Sequence, residues 1–207
     1  MVRKTKAETE KTRNDIIAAA RDMFAEHGVT RTTLEQIAQA AGVTRGAIYW
    51  HFANKLDLMV ALRDDVLMPL LDELQTALQI DGGRDPLDAI EAFLLTHIDR
   101  LETEPAMRQT FEVLMNKCEY VGEFGQLLQC AFEHSRDKLE HLEVAYAKAI
   151  EFGSMRTSVT PKAAANDTHA FMHGVVRLWI GKSATEENTF RPLCRQMVRD
   201  HIKLRRA

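Results

Sequence analysis

Apolar residues recur at helical spacing along almost the whole chain, and alternating apolar–polar runs of the kind that form strands are absent from the sequence. Glycine and proline stand mainly where such helices would begin or end. The 207 residues can bury a substantial core without cross-links. The sequence therefore predicts an all-α fold, with about nine helices separated by short turns.

The prolines mark several of the expected helix ends. Pro86, Pro105 and Pro161 each stand where a loop gives way to a helical pattern, so each predicts the first turn of a helix. Pro192 is interpreted in the same way. Pro69 differs, because it lies inside the pattern "LDLMVALRDDVLMPLLDELQTAL" and predicts a kink or break in that helix.

Several classes of protein are disfavoured. No apolar run approaches the roughly 20 residues that span a bilayer, and the polar, basic start predicts no secretory signal. Cys118, Cys130 and Cys194 are widely spaced and odd in number, which favours reduced thiols over a disulfide framework. The sequence therefore predicts a cytoplasmic protein with no membrane partner.

The charge is unevenly distributed. Residues 1–55 carry nine Lys/Arg and six Asp/Glu, whereas the rest of the chain carries 18 and 24. The extreme N-terminus, with Arg3, Lys4 and Lys6, is the most basic part. A basic head on an acidic body favours a polyanion as the partner of the head alone. Charge by itself leaves a solvated tail equally open.

Two short helical patterns meet at Gly42 in the stretch "TRTTLEQIAQAAGVTRGAIYWHF". Thr32 with Glu35, or Thr33 with Gln36, forms a capping-box pattern that starts the first of them. Gly42 supplies a tight turn, and small alanines before it allow the two helices to cross closely. A helix, a four-residue turn and a second helix predict a helix-turn-helix.

The helix after Gly42 has an inner and an outer face. Ile48 and Phe52, four residues apart, are expected to anchor it, and Trp50 is open between packing and exposure. The residues left on or near the outer face are Thr44, Arg45, Gly46, Tyr49 and His51. Arg45 begins the helix, at the end that reads base edges in the major groove, where its guanidinium can take a guanine through two hydrogen bonds.

The neighbours of Arg45 suit the same partner. Thr44 can bind a phosphate, a base or the end of its own helix, and Gly46 lets the backbone approach DNA closely. Tyr49 and His51 can donate to phosphates, and Lys55 begins the next helix, whose free amide groups also favour phosphate.

The stretch "TRTTLEQIAQAAGVTRGAIYWHFANKLDL" resembles the N-terminal DNA-binding unit of the TetR/AcrR family of bacterial repressors, closely so over residues 10–60. The start "MVRKTKAETEKTRNDII" and the later "NKCEYVGEF" are similar to AcrR-type repressors of multidrug efflux-pump operons. The resemblance implies a homodimer whose first three helices bind double-stranded operator DNA. It also implies a larger C-terminal domain that binds an inducer, and pairing of the last two helices between subunits.

The resemblance places two domains, a helix-turn-helix DNA-binding domain at residues 1–54 and a ligand-binding and dimerisation domain at residues 55–207. By position, Thr44, Arg45, Gly46 and Tyr49 match the recognition helix. His51 and Lys55 match phosphate contacts, and the basic tail adds Arg3 and Lys4. A dimer reads symmetric half-sites, so we expect a near-palindromic operator.

The C-terminal part shows no motif of an enzyme or of a cofactor site. It has no glycine-rich phosphate loop, no G-x-S-x-G and no H-E-x-x-H, so we expect no catalytic residues and no cofactor. His169 and His173, four apart, could begin a metal site with Cys194. Histidines on a helix surface or inside a ligand cavity are favoured instead, and no metal site is predicted.

The C-terminal part does show apolar helical stripes with intruding polar groups. The spacing alone fits a filled core as well as a cavity, and the family resemblance favours a cavity for a hydrophobic small-molecule inducer. The residues expected to contact that ligand are Val66, Phe93, Leu94, His97, Phe111, Met115, Met172, His173 and Val176.

The last two helices, expected at residues 163–181 and 187–205, are candidates for the subunit interface. The candidate seam consists of Ala164, Phe171, Val175, Leu178, Leu193, Met197 and Leu204, and inward packing is the alternative for Phe190, Val198 and Ile202. Burial of these faces within a monomer stays open, because the sequence does not decide between the two. The function expected from these features is a repressor of a multidrug efflux operon, released from its operator by hydrophobic drug-like inducers. The alternative is a TetR-like DNA-binding regulator that no small molecule controls.

Overall fold

The computed structural model describes residues 5–79, 83–182 and 184–207, without the side chains of residues 128, 130–134, 184, 185, 187 and 188. The helices are α1 (Lys6–His27), α2 (Leu34–Ala40), α3 (Arg45–His51), α4 (Lys55–Ala77), α5 (Pro86–Thr103), α6 (Pro105–Glu112), α7 (Gly125–Phe152), α8 (Pro161–Ile180) and α9 (Ala184–Lys203). A π-helical segment, Val113–Lys117, continues α6, and a 3₁₀ turn, Gly122–Phe124, precedes α7. The expected all-α class is confirmed. None of the helices in these ranges is long and apolar enough to cross a membrane.

Local side-chain chemistry sets the helix ends in the N-terminal part. Thr33 and Gln36 form the capping box of α2, with each side chain bound to the backbone N–H of the other residue. Thr32 takes a different role, because its buried hydroxyl donates to the carbonyl of Gly28 at 2.8 Å. Gly28 ends α1 with a φ of 83°, and Gly42 turns the chain after α2 with a φ of 66°, backbone that only glycine adopts without strain.

The positions of the prolines agree with the expectation only in part. Pro86, Pro105 and Pro161 each begin a helix, as predicted. The interpretation of Pro192 is wrong, because α9 already begins at Ala184 and contains Pro192 in its interior. Alanine and glutamate are good helix formers, and glutamate suits a first helical turn, so the residues before Pro192 extend the helix. Pro69 does not break α4, which runs through it without interruption.

Internal contacts divide the chain into two units. Unit 1 comprises Met1–Leu67 and Pro105–Gln129. Its core is one apolar cluster. The buried members are Ile16, Ile17, Ala20 and Phe24 of α1, Leu34, Ile37 and Ala38 of α2, Ile48 of α3, and Val29, Phe52, Leu58, Met59, Ala61, Leu62, Val113, Phe124 and Leu127. The unit takes in α6 and the π-helical segment because both pack on α1. It therefore differs in extent from the expected domain at residues 1–54.

Unit 2 comprises Met68–Glu104 and Cys130–Ala207. Its helix α9 packs on both α5 and α8, and Trp179 and Tyr146 are its largest fully buried side chains. The C-terminus is tied down by two arginines. Arg205 pairs with Asp167, and Arg206 pairs with the carboxylates of residues 85 and 88 at the start of α5.

The exposed apolar side chains of unit 2 correct part of the expected subunit seam. Ala164 and Val175 are buried within the unit's own core, because the inner face of α8 runs through both. Phe190, Val198 and Ile202 pack inward, which was the alternative for these three. The seam residues that are exposed and apolar are Leu178, Leu193 and Leu204.

Candidate functional site

The α2–turn–α3 segment forms the expected helix-turn-helix. The backbone N–H of Val43 donates to the carbonyl of Ala38 at 2.9 Å, which closes the turn at Gly42. Ile48 and Phe52 are buried and anchor α3 to the core of unit 1. Since α3 has only seven residues and buries Ile48 alone, most of its surface faces outward.

The outward surface of α3 is a stripe that ends in large side chains. Arg45 and Tyr49 are four residues apart, as are Gly46 and Trp50, so the two pairs lie side by side. All four are exposed, with 73% of the Arg45 side chain and 71% of Trp50 accessible. A methyl group added at Gly46 would find open space, with the hydroxyl of Thr44 as its nearest neighbour at 4.0 Å. The exposure of Trp50 settles a position that the sequence left open.

An acidic residue of α2 holds the side chains of α3 in place. Oε1 of Glu35 lies 3.1 Å from Nη2 of Arg45 and accepts a hydrogen bond from the Tyr49 hydroxyl at 3.0 Å. The Arg45 guanidinium also lies 5.7 Å from the centre of the Tyr49 ring. A backbone N–H, the Tyr49 hydroxyl and the charge of Arg45 lower the pKa of Glu35. The sequence suggests Glu35 only as a possible cap, since its partners lie 10 and 14 positions further along.

The remaining residues expected at α3 have local roles in the structure. The hydroxyl of Thr44 accepts from the N–H of Ala47 at 3.2 Å, so it caps α3. The half-buried His51 ring meets the edge of the Trp50 ring at 4.6 Å. Arg3 and Lys4, expected to contact DNA from the basic tail, lie outside the described residues.

Lys55 is placed beneath the turn between α1 and α2. Its ammonium donates to the carbonyls of Val29 at 2.8 Å, Thr30 at 3.3 Å and Thr32 at 3.1 Å. An ammonium has three protons to donate, so these three carbonyls use all of them. The helix start and the family resemblance predicted a phosphate contact for Lys55. In the structure its ammonium donates to the turn that leads into α2.

Arg21 joins α1 to two other helices of unit 1. Its buried guanidinium donates to the hydroxyl of Thr110 in α6 at 2.9 Å, and it pairs with Asp65 of α4 at 2.6 Å. These contacts fix α1 against α4 and α6. The sequence does not reveal them, because the three residues are 44 and 89 positions apart.

The nine residues expected to contact a ligand divide between the units. Val66, Phe111 and Met115 belong to unit 1, where the first two are buried and Met115 is half-buried. The six in unit 2 are Phe93, Leu94, His97, Met172, His173 and Val176. Of these, Leu94 and Val176 are buried, His173 is exposed, and the other three are half-buried.

Unit 2 also contains a cluster of basic groups that includes a residue absent from those expectations. Burial, then the nearby charge of Lys138, lower the pKa of His97 to about 3. The same two causes, in the same order, lower the pKa of His169 and of His173, whose rings lie 6.0 Å apart. Burial lowers the pKa of Lys138 itself. These groups lie on three helices, α5, α7 and α8.

In the described part of the chain, no group of three or more His, Cys, Asp or Glu side chains could hold a metal ion. Cys194, considered a possible ligand with His169 and His173, is a free, fully buried thiol, and burial raises its pKa to about 11.

Comparisons with known proteins agree with this geometry. Residues 16–62 match the family model of bacterial regulatory proteins of the TetR family. Residues 85–189 match the model of the C-terminal region of MAATS-type transcriptional repressors. The chain is 37% identical over 180 residues to the transcriptional regulator TtgR of Pseudomonas putida. This alignment covers 87% of this chain and 85% of TtgR. It is 32% identical to AcrR of Shigella flexneri, over 87% of this chain and 83% of AcrR.

Solved structures are similar over nearly the full length. The chain superposes with a TM-score of 0.76 and 29% identity on NalD, the secondary repressor of the MexAB-OprM multidrug efflux pump in Pseudomonas aeruginosa, covering 95% of this chain and 98% of NalD. It superposes with a TM-score of 0.77 and 32% identity on SmeT in complex with triclosan, covering 91% of this chain and 90% of SmeT. With both halves matched and these relatives spanning most of its length, the chain belongs to the TetR family of bacterial regulatory proteins, as a transcriptional regulator and not an enzyme.

Proposed function

We propose that this protein represses a multidrug efflux operon, binding a near-palindromic operator as a homodimer and leaving it when a hydrophobic small molecule binds. The observation that carries the proposal is the exposed stripe of α3, where Arg45, Gly46, Tyr49 and Trp50 stand on a helix anchored from below. The relatives support the choice of operon, because NalD and SmeT are both repressors of multidrug efflux pumps.

Arg45 carries the sequence-specific contact in this proposal. It is the first residue of α3, it is largely exposed, and its guanidinium can take O6 and N7 of a guanine together. Gly46 lets the α3 backbone approach the groove, while Tyr49 and His51 donate to phosphates beside it. Arg3 and Lys4 add phosphate contacts from the tail. Lys55 acts indirectly, through the turn that it holds.

The dimer supplies the second half-site. Leu178 on α8 and Leu193 on α9 are large apolar side chains exposed in the single chain, together with Leu204 just after α9. Burying such side chains against a second copy removes apolar surface from water. A twofold axis then presents two copies of α3 to two symmetric half-sites.

Ligand control operates through unit 2. Phe93, Leu94, Met172 and Val176 offer apolar surface to a hydrophobic ligand, and His97 offers a polar group. α4 is one continuous helix that begins in unit 1 and ends in unit 2, with Pro69 next to the boundary between them. A ligand that prefers the shape adopted away from DNA weakens operator binding, and the operator weakens ligand binding by the same factor.

Arg45→Ala tests the DNA contact. Operator duplexes are selected from a random pool, and affinities for the selected and for a scrambled duplex are measured by fluorescence anisotropy. We expect Arg45→Ala to cost about 1–3 kcal/mol on the selected duplex and to relax selection at one base pair per half-site. Affinity for the scrambled duplex should change little.

Arg31→Ala is the matched control, since it removes the same charge from the exposed turn between α1 and α2. Equal losses for Arg45→Ala on both duplexes would make Arg45 a phosphate contact. No loss on either would remove α3 from the interface. Separately, a hydrophobic ligand that binds without changing operator affinity would identify a regulator that no small molecule controls.

A further inference from the structure

The turn between α1 and α2, residues 28–33, leads directly into the helix-turn-helix. Three of its carbonyls accept hydrogen bonds from the Lys55 ammonium, and its last residue, Thr33, caps α2. In the first turn of α2, Glu35 lies 3.1 Å from the Arg45 guanidinium of α3. The position of the Lys55 ammonium therefore affects where α2 begins and, through Glu35, where Arg45 stands.

A second segment of unit 1, residues 113–124, contacts this turn from outside the helix-turn-helix. It contains the π-helical segment and the 3₁₀ turn before α7. The backbone N–H of Val29 donates to the carbonyl of Lys117 at 3.1 Å. The Phe124 ring, buried in the core of unit 1, has its centre 5.7 Å from Nζ of Lys55. Residues 113–124 thus meet the turn through a backbone hydrogen bond and through the ammonium that holds the turn.

An open cleft lies beside this backbone hydrogen bond. It has a volume of about 300 Å³ and is lined by residues 26–31 on one side and by Asn116, Lys117 and Glu119 on the other. Side chains that face a cleft have no packing partners across it. The contact between the Phe124 ring and the Lys55 ammonium therefore has a larger share in holding the turn.

The distance between Phe124 and Lys55 is that of an attractive contact. A cation within about 6 Å of the centre of an aromatic ring is attracted by the negative charge of the ring face, and the attraction grows where water is excluded. Phe124 is only 8% exposed. The ring therefore favours the ammonium in the place where the three carbonyls accept from it. An aliphatic side chain would keep much of the packing but not this attraction.

We propose that Phe124 is a positioning residue for operator recognition, acting through Lys55 and the turn at residues 28–33 on α2 and Arg45. This inference rests on the proposed function, because it assigns a further residue to DNA recognition. Phe124 lies outside the expected DNA-binding domain at residues 1–54, and it contacts neither bases nor phosphates. Base readout needs an accurately placed helix, whereas attraction to phosphates is independent of sequence. The ring therefore contributes to discrimination between the operator and other DNA.

Fluorination of the ring separates its electrostatics from its packing. Trifluorophenylalanine keeps nearly the shape and apolar surface of phenylalanine, but its fluorine atoms withdraw negative charge from the ring face. It is incorporated at position 124 of the full-length chain, in wild type and in Lys55→Met. The matched control is the same replacement of Phe24, a fully buried ring of α1 in the same core cluster. Fluorescence anisotropy then measures affinities for the selected and the scrambled duplex, at a temperature where circular dichroism shows every variant folded.

We expect trifluorophenylalanine at position 124 to weaken binding of the selected duplex about threefold and to leave the scrambled duplex within about 1.5-fold of wild type. At position 24 it should leave both affinities within about 1.5-fold of wild type, because that ring packs in α1. In Lys55→Met the replacement at position 124 should have no further effect, since no ammonium remains for the ring to attract. Phe124→Leu, which removes the ring altogether, should weaken binding of the selected duplex about fivefold.

Equal losses on the two duplexes, or an equal loss at position 24, would overturn the proposal, because the ring would then act only through packing. An unchanged affinity for the selected duplex at position 124 would overturn it as well, as would the same threefold loss in Lys55→Met. The wild-type titration keeps the two ideas apart. If wild type does not discriminate between the duplexes, the proposed function fails. If wild type discriminates and fluorination at position 124 has no effect, only the role of Phe124 is removed.

Discussion

Arg45 and Lys138 carry the same charge in opposite surroundings. Arg45 stands 73% exposed at the start of α3, where water solvates it and Glu35 holds it loosely in place. Lys138 is half-buried on α7, and burial lowers its pKa. A surface cation such as Arg45 is accessible to an extended polyanion.

Two cations of unit 1, the buried Arg21 and the half-buried Lys55, show a different arrangement. Arg21 is paired with Asp65 and bonded to Thr110, and Lys55 uses its three protons on backbone carbonyls. Their donors are used within the unit, so they stabilise the fold. The contrast with Arg45 teaches that charge alone does not reveal the role of a cation. What differs is whether its donors are already used within the unit.

Ionic strength gives the largest expected effect on the exposed cations. Operator binding releases counterions from phosphates, so its affinity should fall about 10³-fold between 50 and 200 mM salt if several phosphates are contacted by each dimer. The affinity is measured by titration at both salt concentrations. A change of less than about twofold would contradict binding through phosphate contacts.

Acid pH should destabilise the folded protein, because it protonates an interior histidine of unit 2. Burial, and then the charge of Arg205, lower the pKa of His201 from its ordinary value of 6.5 to about 4. Protonation therefore favours the unfolded chain, so the contribution of His201 is complete above about pH 6.5 and is lost as the pH falls towards 4. The loss is about 3 kcal/mol.

The melting temperature from pH 7.5 to 4.5 measures this effect. His201→Gln cannot titrate but can still bond Thr168, which lies 3.0 Å from Nε2 of His201. We expect a flatter pH dependence in the variant than in wild type. Parallel curves would show that His201 is not the group responsible.

Lys55→Met sharpens the distinction between a structural and a DNA-binding cation. Its three carbonyl partners lose their charged donor, so we expect a loss of about 1–3 kcal/mol in the free energy of unfolding. Lys162→Met, which removes the same charge from the exposed surface of α8, should have little effect in chemical denaturation. A normal stability with a shallower salt dependence of operator binding would instead place Lys55 at a phosphate.

Glu35→Gln should give the smallest change, and it should strengthen DNA binding rather than weaken it. The substitution removes a negative charge beside the proposed DNA surface and releases Arg45 from its ion pair. We expect operator and scrambled duplexes both to bind about threefold more tightly, because the added attraction to phosphates is independent of sequence. Glu26→Gln is the control, because it removes an exposed carboxylate from the C-terminal end of α1. A weaker operator affinity would mean that Glu35 pre-orients Arg45 for its base.

The sequence by itself determined the features that depend on neighbours along the chain. Helical periodicity predicted the all-α class, Gly42 predicted the turn of the helix-turn-helix, and the spacing of Ile48 and Phe52 predicted the anchored face of α3. The apolar pattern could not separate Ala164, which is buried in its own unit, from Leu178, which is exposed, because both suit a helix that packs on something.

Only the tertiary structure decided which polar groups meet. The partners of Lys55 and Arg21 lie more than 20 positions away in the sequence. Residues that are close in sequence fix local backbone geometry through short-range sterics and capping. A charge responds to whatever the fold brings near it in space, so the partners of Arg45 and Lys55 became visible only when the helices were packed.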